Sequence, residues 1–344
     1  MIMSNVGDQT DMARFSEVFS CTGVDEESKI PGMVVANGGW NLVALENGER
    51  LRVHSENKHI KIEEVQDTAV IKLARLYMNF KLAGQDVDAQ LRDSYMPHIL
   101  SGKARFFKVH GKALVGSPGA LVQASSARKV EAKLQVVVLD LMKVKLAIGN
   151  LTVPDENGRP VYHADKPCDP EKECDQMNAV WTPQARVAFD LISSAPIFLD
   201  DREKSIREDI AKGLGLITKE GSFPENVDTG KLRHIFNKLK NKQADLTIFV
   251  VQKIQRKDRV PDGVTDSEFG FCVLIGNHTP STAAHEAGHY LLGDRGKDGK
   301  WTGLPHTSSS DDPDKRPLMR DGGGGFKIPF SLALKARTFF DRHH

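Results

Sequence analysis

Residues 279–293 read TPSTAAHEAGHYLLG, and this stretch predicts a helix that carries a His-Glu-x-x-His motif. Thr279 is a suitable N-cap residue, and Pro280 suits the first helical position because its missing N–H group is not needed there. Gly293 stands where a left-handed C-terminal cap is expected. These signals predict a helix over residues 280–292.

His285 and His289 lie four residues apart, so a helix places both imidazoles on one face, where they can bind one Zn2+ ion. Glu286 follows the first histidine directly and lies beside the pair. In such sites the metal polarises a water molecule and the carboxylate takes its proton. The motif therefore predicts a catalytic zinc centre with Glu286 as the general base. A purely structural zinc is the competing interpretation, but it gives this carboxylate no purpose.

The residues that follow the motif restrict the choice of the third zinc ligand. Residues 290–344 contain no glutamate, which excludes a ligand of that type from a following helix. We favour His306, because imidazole is the commoner third ligand in open zinc sites and the loop GLPHTSSSDD can fold back beneath the helix. Asp294 is the alternative third ligand, since carboxylates also bind zinc. His343 and His344 lie at the chain end and are expected to fray.

Residues 19–147 are predicted to form a β-sandwich of the immunoglobulin-like (Ig-like) kind. Short apolar runs alternate with turn signals in the first part of this range, as in MVVA, WNLVAL, RLRVHS and HIKI. Strand patterns return in ARFFKVHG, ALVQASS and AKLQVVVLDL. Bacterial Ig-like modules have similar patterns, and the resemblance lies in the stretch from GERLRVHSEN to IKI and in the later GALVQAS and AKLQVVVL stretches. A β-rich spacer with no binding function is the alternative.

Two segments of the N-terminal half differ from this strand pattern. Residues 1–18 are polar and unpatterned, which predicts a flexible arm. Residues 68–100 are dominated by alanine, leucine, lysine and arginine, and apolar residues recur there at spacings of three and four. This second segment is predicted to be an insertion in the sandwich that could hold a helix, with its type left open.

Residues 148–344 mix helix and strand patterns. Strands are predicted at ARVAFDLI, DLTIFVVQKI and FGFCVLIG, and helices over residues 202–212 and 231–242. A Pro- and charge-rich loop through Cys174 is expected to separate the two halves of the chain. Because helices and strands interleave, the fold class is predicted to be α+β, with an N-terminal Ig-like sandwich followed by a mixed C-terminal domain.

The segment AHEAGHYLLGDRGKDGKWTGLPH, followed by RPLMRDGGGG, resembles the metzincin-like zincins. It is similar to a bacterial effector or toxin type in which an insertion separates the second and third histidines. The usual signature, HExxHxxGxxH, is met in part, because Gly293 lies one residue late and no histidine follows at the standard offset. The resemblance implies a zincin metallopeptidase domain over residues 148–344, zinc bound by His285, His289 and His306, and Met319 as the Met-turn methionine beneath the metal.

Two further stretches are similar to segments of such effectors. One is MNAVWTPQ, residues 177–184, with the ARVAFDL that follows; the other is FGFCVLIG, which matches the substrate-lining edge strand. An edge strand offers unpaired backbone groups to an extended peptide, so the resemblance implies hydrolysis of a protein or peptide substrate. Some metzincins use a tyrosine near the Met-turn to stabilise the oxyanion. No tyrosine follows Tyr290 here, so Arg320 and His278 are the candidates for this role.

Composition and charge restrict the partners. The chain of 344 residues has 47 Lys and Arg against 46 Asp and Glu, a formal net charge of +1, which gives no basic field for nucleic acid or anionic lipid. No stretch approaches the roughly 20 apolar residues that a membrane span needs. Four cysteines are too few for a disulfide framework, so Cys168 and Cys174 are expected to be free thiols.

The sequence as a whole predicts a zinc-dependent metalloendopeptidase of the bacterial effector or toxin type. The start of the chain lacks the basic and apolar blocks of a secretory signal, so we expect secretion through a specialised apparatus, with the cytoplasm as the alternative location. That apparatus and an immunity protein are expected partners beside the substrate. Two other functions compete: a peptidoglycan amidase or endopeptidase with the same metal chemistry, and a non-catalytic binding protein with a structural zinc.

Overall fold

The structure is a computed structural model that describes residues 12–17, 30–65, 104–154, 160–162, 166–198, 236–251, 262–279, 281–295, 301–302, 318–319, 328 and 330–338. Within these ranges seventeen strands and three helices are defined, so the described part of the chain is mostly β. The predicted α+β class with a C-terminal zincin domain is therefore wrong. The apolar runs of the C-terminal half are rich in β-branched and aromatic residues, and they pair into one large sheet with few helices against it.

Two four-stranded sheets form the N-terminal half and share one apolar core. Their strands are β1 (Arg14–Glu17), β2 (Gly32–Ala36), β3 (Trp40–Glu46), β4 (Arg52–Ser55), β5 (Ile60–Val65), β6 (Ala104–Gly111), β7 (Val115–Ser125) and β8 (Val130–Leu139). The first sheet has the order β1-β3-β6-β5 and is antiparallel throughout. The second has the order β2-β8-β7-β4, and in it β2 runs parallel to β8.

Side chains of these strands alternate between the core and the opposite face. Val43 and Leu45 of β3 and Val136 of β8 are buried between the sheets, at the spacing of two that strand geometry requires. The strands predicted from the apolar runs are confirmed, whereas the Ig-like identity stays a prediction. Residues 14–17 of the predicted arm form β1, and the predicted insertion at 68–100 lies outside the described residues.

A seven-stranded mixed sheet forms the C-terminal half. Its strands are β9 (Met142–Pro154), β10 (Pro160–Tyr162), β11 (Val187–Ser193), β12 (Ile197–Phe198), β13 (Leu246–Val251), β14 (Gly263–Asp266) and β15 (Phe271–Ile275). Three strands, β11, β12 and β13, run parallel to β9, and β15 runs parallel to β13. Strand β9 begins at residue 142, and the predicted domain boundary after residue 147 stays a prediction.

The edge of this sheet next to β15 is formed by β14, which pairs antiparallel with β15. The stretch FGFCVLIG forms β15, which lies between β13 and β14, so the prediction that it is the edge strand is wrong. The turn over residues 267–270 explains the difference, because it folds the chain back and lets β14 cover β15. Gly270 adopts φ of 67° in this turn, a conformation that favours glycine.

Three helices complete the described elements: α1 (Pro170–Ala185), α2 (Thr282–Leu292) and α3 (Phe330–Arg337). Helix α1 begins in the stretch that was predicted to be a loop through Cys174. Its start has a local cause, since the Asp169 carboxylate accepts hydrogen bonds from the backbone N–H groups of Glu171 and Lys172 at 3.1 and 3.3 Å. In the described ranges, no helix has the length and apolar character needed to cross a membrane.

The sandwich and the C-terminal helices share a second core. Val34 and Val137 point away from the sandwich interior and pack into the same cluster as Trp181 of α1 and Phe330 of α3. Gly32 permits the close approach, because a Cβ atom at this position would overlap the Phe330 ring. The N-terminal sheets are thus packed directly against the helices that surround the candidate site.

Candidate metal site

Helix α2 carries the His-Glu-x-x-His motif, as predicted. It begins at Thr282, with Ser281 as its N-cap, so the cap predicted at Thr279 is two residues early. Thr279 still shapes this end of the helix, since its carbonyl accepts a hydrogen bond of 3.0 Å from the N–H of Thr282. Pro280 lies outside the described residues.

Gly293 ends the helix but does not form the predicted left-handed cap. Its φ of −58° and ψ of 150° are extended, because the chain continues directly into the short strand β16 (Asp294–Arg295), which pairs with β17 (Trp301–Thr302). A Cβ atom at Gly293 would lie 3.1 Å from Cβ of Ser267. Close packing against this turn, rather than a positive φ, is what favours glycine here.

The two histidines of α2 bring their Nε2 atoms to 3.1 Å from one another. Two Zn–N bonds of about 2.0–2.1 Å at a tetrahedral angle separate the nitrogens by about 3.3 Å. Nδ1 of His285 lies 2.6 Å from the carbonyl oxygen of Leu318, which as an acceptor keeps the proton on Nδ1 and leaves Nε2 with its lone pair. At this separation the two Nε2 atoms either share a proton or face a cation.

Glu286 completes a group of three side chains that can hold a metal ion. Ligand atoms of His285, Glu286 and His289 all lie within 4.8 Å of one another. The first two residues are buried, with 6% of their surface exposed, and His289 is half-buried. A buried carboxylate beside two imidazoles is costly without a cation or hydrogen-bond donors, so the cluster is suited to a metal site that is shielded from bulk water.

Met319 packs against α2 at Gly288, which lies between the two histidines along the helix. It is buried, and a Cβ atom on Gly288 would overlap its Sδ atom. The preceding residue, Leu318, provides the carbonyl that orients His285. The segment 318–319 thus supports the histidine pair from below, while the role of Met319 as a Met-turn residue stays a prediction.

Trp181 of α1 fixes α2 from a second side. Its side chain is fully buried, and the indole Nε1–H donates a hydrogen bond of 3.0 Å to the carbonyl oxygen of Ala284, the residue before the first histidine. The ring also comes within 3.3 Å of the position that a Cβ atom on Gly288 would take. The sequence pattern of MNAVWTPQ does not predict this contact with the motif helix.

The edge strand β14 and the turn that follows it provide a third support that sequence reasoning missed. Oγ1 of Thr265 donates to the Glu286 carboxylate at 2.5 Å, and Oγ of Ser267 donates to the main-chain oxygen of His289 at 2.9 Å. A Cβ atom on Gly263 would lie 2.7 Å from Cγ of Glu286. Gly263 and Thr265 are two residues apart and so share one face of the strand, a spacing that is visible in the sequence once the strand is recognised.

His278 is a predicted candidate for stabilising the oxyanion, but its ring contacts α1 and the end of β15. Nε2 of His278 lies 3.1 Å from the Glu173 carboxylate, and Nδ1 lies 2.5 Å from the carbonyl oxygen of Ile275. Burial lowers the pKa of His278, but the hydrogen bond and charge of Glu173 outweigh it, so the pKa is raised above its ordinary value. The pair joins the start of α1 to the loop that leads into α2.

We expect Glu173→Gln to destabilise the protein more at low pH than at high pH. A raised folded-state pKa means that the His278–Glu173 pair stabilises fully below the unfolded-state pKa of about 6.5, and that this is lost as the pH rises through the folded-state pKa. The loss should be about 1.5–3 kcal/mol at pH 5.5 and smaller at pH 9. Urea unfolding at both pH values measures it, with Glu171→Gln as the exposed control. An equal loss at both pH values would contradict this assignment.

Several predicted residues have no described side-chain geometry. His306, Arg320, His343 and His344 lie outside the described residues. Asp294 lies in β16, directly after α2, but the contacts of its side chain are not described. The identity of the third ligand therefore stays a prediction, with His306 favoured and Asp294 as the alternative.

The three cysteines in the described ranges, Cys168, Cys174 and Cys272, are free thiols, as predicted for the first two. Burial, with a contribution from nearby carboxylates, raises the pKa of Cys168 to about 12 and that of Cys174 to about 11. Both thiols are therefore protonated at neutral pH, and neither has the low pKa of a reactive cysteine.

No protein-family model matches this chain, and no curated protein or solved structure matches it either. The resemblance to metzincin-like zincins consequently stays a prediction from the sequence. The functional inference rests on the geometry around α2.

Proposed function

We propose that this protein is a zinc-dependent metalloendopeptidase that hydrolyses peptide bonds in a protein or peptide substrate. The observation that carries the proposal is the distance of 3.1 Å between the Nε2 atoms of His285 and His289, with the Glu286 carboxylate beside them on the same helix. Two imidazoles suit zinc, and a carboxylate between them has a purpose if it moves protons rather than binding the metal. The resemblance to metzincin-like zincins supports the same chemistry.

The residues proposed to hold zinc are His285, His289 and a third ligand, His306, with Asp294 as its alternative. Zinc bound there would polarise the substrate carbonyl and lower the pKa of a bound water molecule. The carbonyl of Leu318 keeps the proton of His285 on Nδ1, so its Nε2 is held ready as a ligand. His285 is buried and His289 is half-buried, which limits the contact of the pair with bulk water.

Glu286 is the proposed general base. Its carboxylate takes a proton from the attacking water and later delivers that proton to the leaving amine. The half-buried strand β14 is the proposed docking strand for an extended substrate, in place of β15, because β15 is the only partner of β14 among the described strands. A peptide added there would lie next to the face that contacts Glu286.

A structural zinc in a non-catalytic protein is less well supported. Structural zinc sites fill all four positions with protein ligands, so Glu286 would be expected to serve as one of those ligands. In the structure its carboxylate instead accepts a short hydrogen bond of 2.5 Å from Thr265. A hydrogen bond that orients the carboxylate suits a general base, which must face the water molecule that it deprotonates.

Metal loading of the full chain tests the proposal. We expect one zinc ion per chain, and hydrolysis of an unfolded protein substrate that disappears on chelation and returns with Zn2+. His289→Ala should weaken zinc binding by more than about 100-fold, because loss of a direct ligand exceeds the 10–100-fold cost of losing an outer partner. His59→Ala, in the N-terminal sandwich, is the matched control and should bind as the wild type does.

Two results would contradict the proposal: wild-type zinc affinity in His289→Ala, or a zinc-loaded wild type that cleaves no unfolded protein. Purified peptidoglycan as a second substrate separates a peptidase from a cell-wall amidase. His306→Ala and Asp294→Ala, measured in the same assay, identify the third ligand. We expect the first of these variants to lose zinc and the second to keep it.

A further inference from the structure

The hydroxyl of Thr265 contacts Glu286 at two atoms. Oγ1 lies 2.5 Å from the carboxylate oxygen Oε2 and 2.9 Å from the main-chain oxygen of the same residue. The shorter distance is typical of a hydroxyl that donates to an ionised carboxylate, a hydrogen bond about twice as strong as a neutral one. The same proton is shared with the main-chain oxygen at the longer distance, as a three-centre hydrogen bond to the turn of α2 that carries Glu286. One side chain of the edge strand therefore holds both the backbone and the carboxylate of the proposed base.

A buried thiol on the neighbouring strand β15 also contacts the Thr265 hydroxyl. Cys272 is opposite Thr265 in the β14–β15 pair, and its Sγ lies 3.2 Å from Oγ1. Burial, and then the charge of Glu286, raise the pKa of Cys272, so the thiol stays protonated. A hydroxyl has one proton, and that proton faces Glu286, so the thiol is the donor in the contact with Thr265. Its S–H group thus leaves the hydroxyl proton directed at the carboxylate.

The shape of β14 allows this contact. A Cβ atom on Gly263 would lie 2.7 Å from Cγ and 2.9 Å from Oε1 of Glu286, and 2.8 Å from Cδ2 of Leu274. Contacts between a Cβ atom and its neighbours do not occur at these distances, so any other residue would displace the Glu286 side chain or the strand. Gly263 and Thr265 lie on the same face of the strand, one leaving space for the carboxylate and the other binding it.

We infer that Thr265 is a positioning residue that holds the Glu286 carboxylate in its proton-accepting orientation, with Gly263 leaving the space that this orientation needs. The inference rests on the proposed function for its catalytic consequence. Its structural part, the coupling between the hydroxyl and the carboxylate, stands on the contacts alone. Thr265 acts through Glu286.

Two substitutions at position 265 separate positioning from packing. Thr265→Val keeps the shape and removes the hydroxyl, whereas Thr265→Ser keeps the hydroxyl. We expect the valine variant to lower kcat by about 10–100-fold, with KM and zinc affinity within about 3-fold of wild type, and the serine variant to restore kcat. Gly263→Ala should lower kcat in the same way, because it displaces the carboxylate. Wild-type kcat in Thr265→Val, or a parallel loss of zinc affinity, would overturn the inference.

The metal-free protein provides a readout that does not depend on activity. In a double-mutant cycle, Thr265→Val should lower the urea midpoint by about 0.5 M when Glu286 is present and leave it almost unchanged in a Glu286→Ala background. Equal shifts in both backgrounds would overturn the inference. An inactive zinc-loaded wild type would contradict the proposed function, and it is detected before any variant is measured; the cycle then still decides whether Thr265 holds Glu286.

Discussion

Glu286→Gln is expected to keep one zinc ion per chain and to lower kcat for peptide hydrolysis by about 10²–10⁴-fold, the usual contribution of a general base. Glutamine preserves the shape of the side chain, and its amide oxygen can still accept the hydrogen bond that Thr265 donates to the carboxylate at 2.5 Å. What it removes is the ability to accept and return a proton. Zinc content and kcat, measured on the same preparation, test the expectation together.

Glu268→Gln is the matched control, because it makes the same change at an exposed position in the turn between β14 and β15. It should leave both zinc content and kcat unchanged. If Glu286→Gln loses its zinc, Glu286 is a ligand and not the base. If the variant keeps wild-type kcat, the proton is moved by another group, and the proposed mechanism is wrong.

The sequence was sufficient for the part of the site that depends on local geometry. His285, Glu286 and His289 lie on one helix, and the spacing of four residues fixes their relation whatever the rest of the fold is. The observed approach of the two Nε2 atoms, 3.1 Å, follows from that spacing and from one carbonyl, that of Leu318. Only the second of these factors comes from a distant part of the chain.

The supporting residues could not be predicted, because strand pairing places them. Thr265 is 21 residues from Glu286 in the chain, and Trp181 is 103 residues from Ala284. The run FGFCVLIG was identified correctly as a strand from its apolar residues, yet its place inside the sheet depended on whether β14 would fold back onto it. An apolar run identifies a strand but not its neighbours.

The error in fold class has a related cause. The sequence patterns predict both helices and strands in the C-terminal half, whereas strand pairing joins seven strands into one sheet around β9. The prediction of a loop at the start of α1 is wrong although the helix signal there is local: Asp169 and Pro170 form an N-cap and first helical position, but the charged residues that follow favour a loop.

Trp181→Ala is expected to lower the free energy of unfolding by about 3–5 kcal/mol, the range for a large aromatic residue removed from a core. The side chain is fully buried, and it donates the hydrogen bond of 3.0 Å to Ala284 that ties α1 to α2. We also expect the folded variant to bind zinc about 10–100-fold more weakly, since the helix that presents both histidines loses an orienting partner. Urea unfolding and chelator competition measure the two effects.

Phe107→Ala distinguishes a local effect on the site from general destabilisation. Phe107 is buried in the core between the two N-terminal sheets, so its removal should cost a similar 3–5 kcal/mol of stability. It has no place in the cluster that contains Trp181 and Met319, and the zinc affinity of the folded protein should stay at the wild-type value. If both variants weaken zinc binding equally, the metal site responds to overall stability, and Trp181 has no particular part in holding α2. If Trp181→Ala alone weakens it, the contact between α1 and α2 orients the histidine pair.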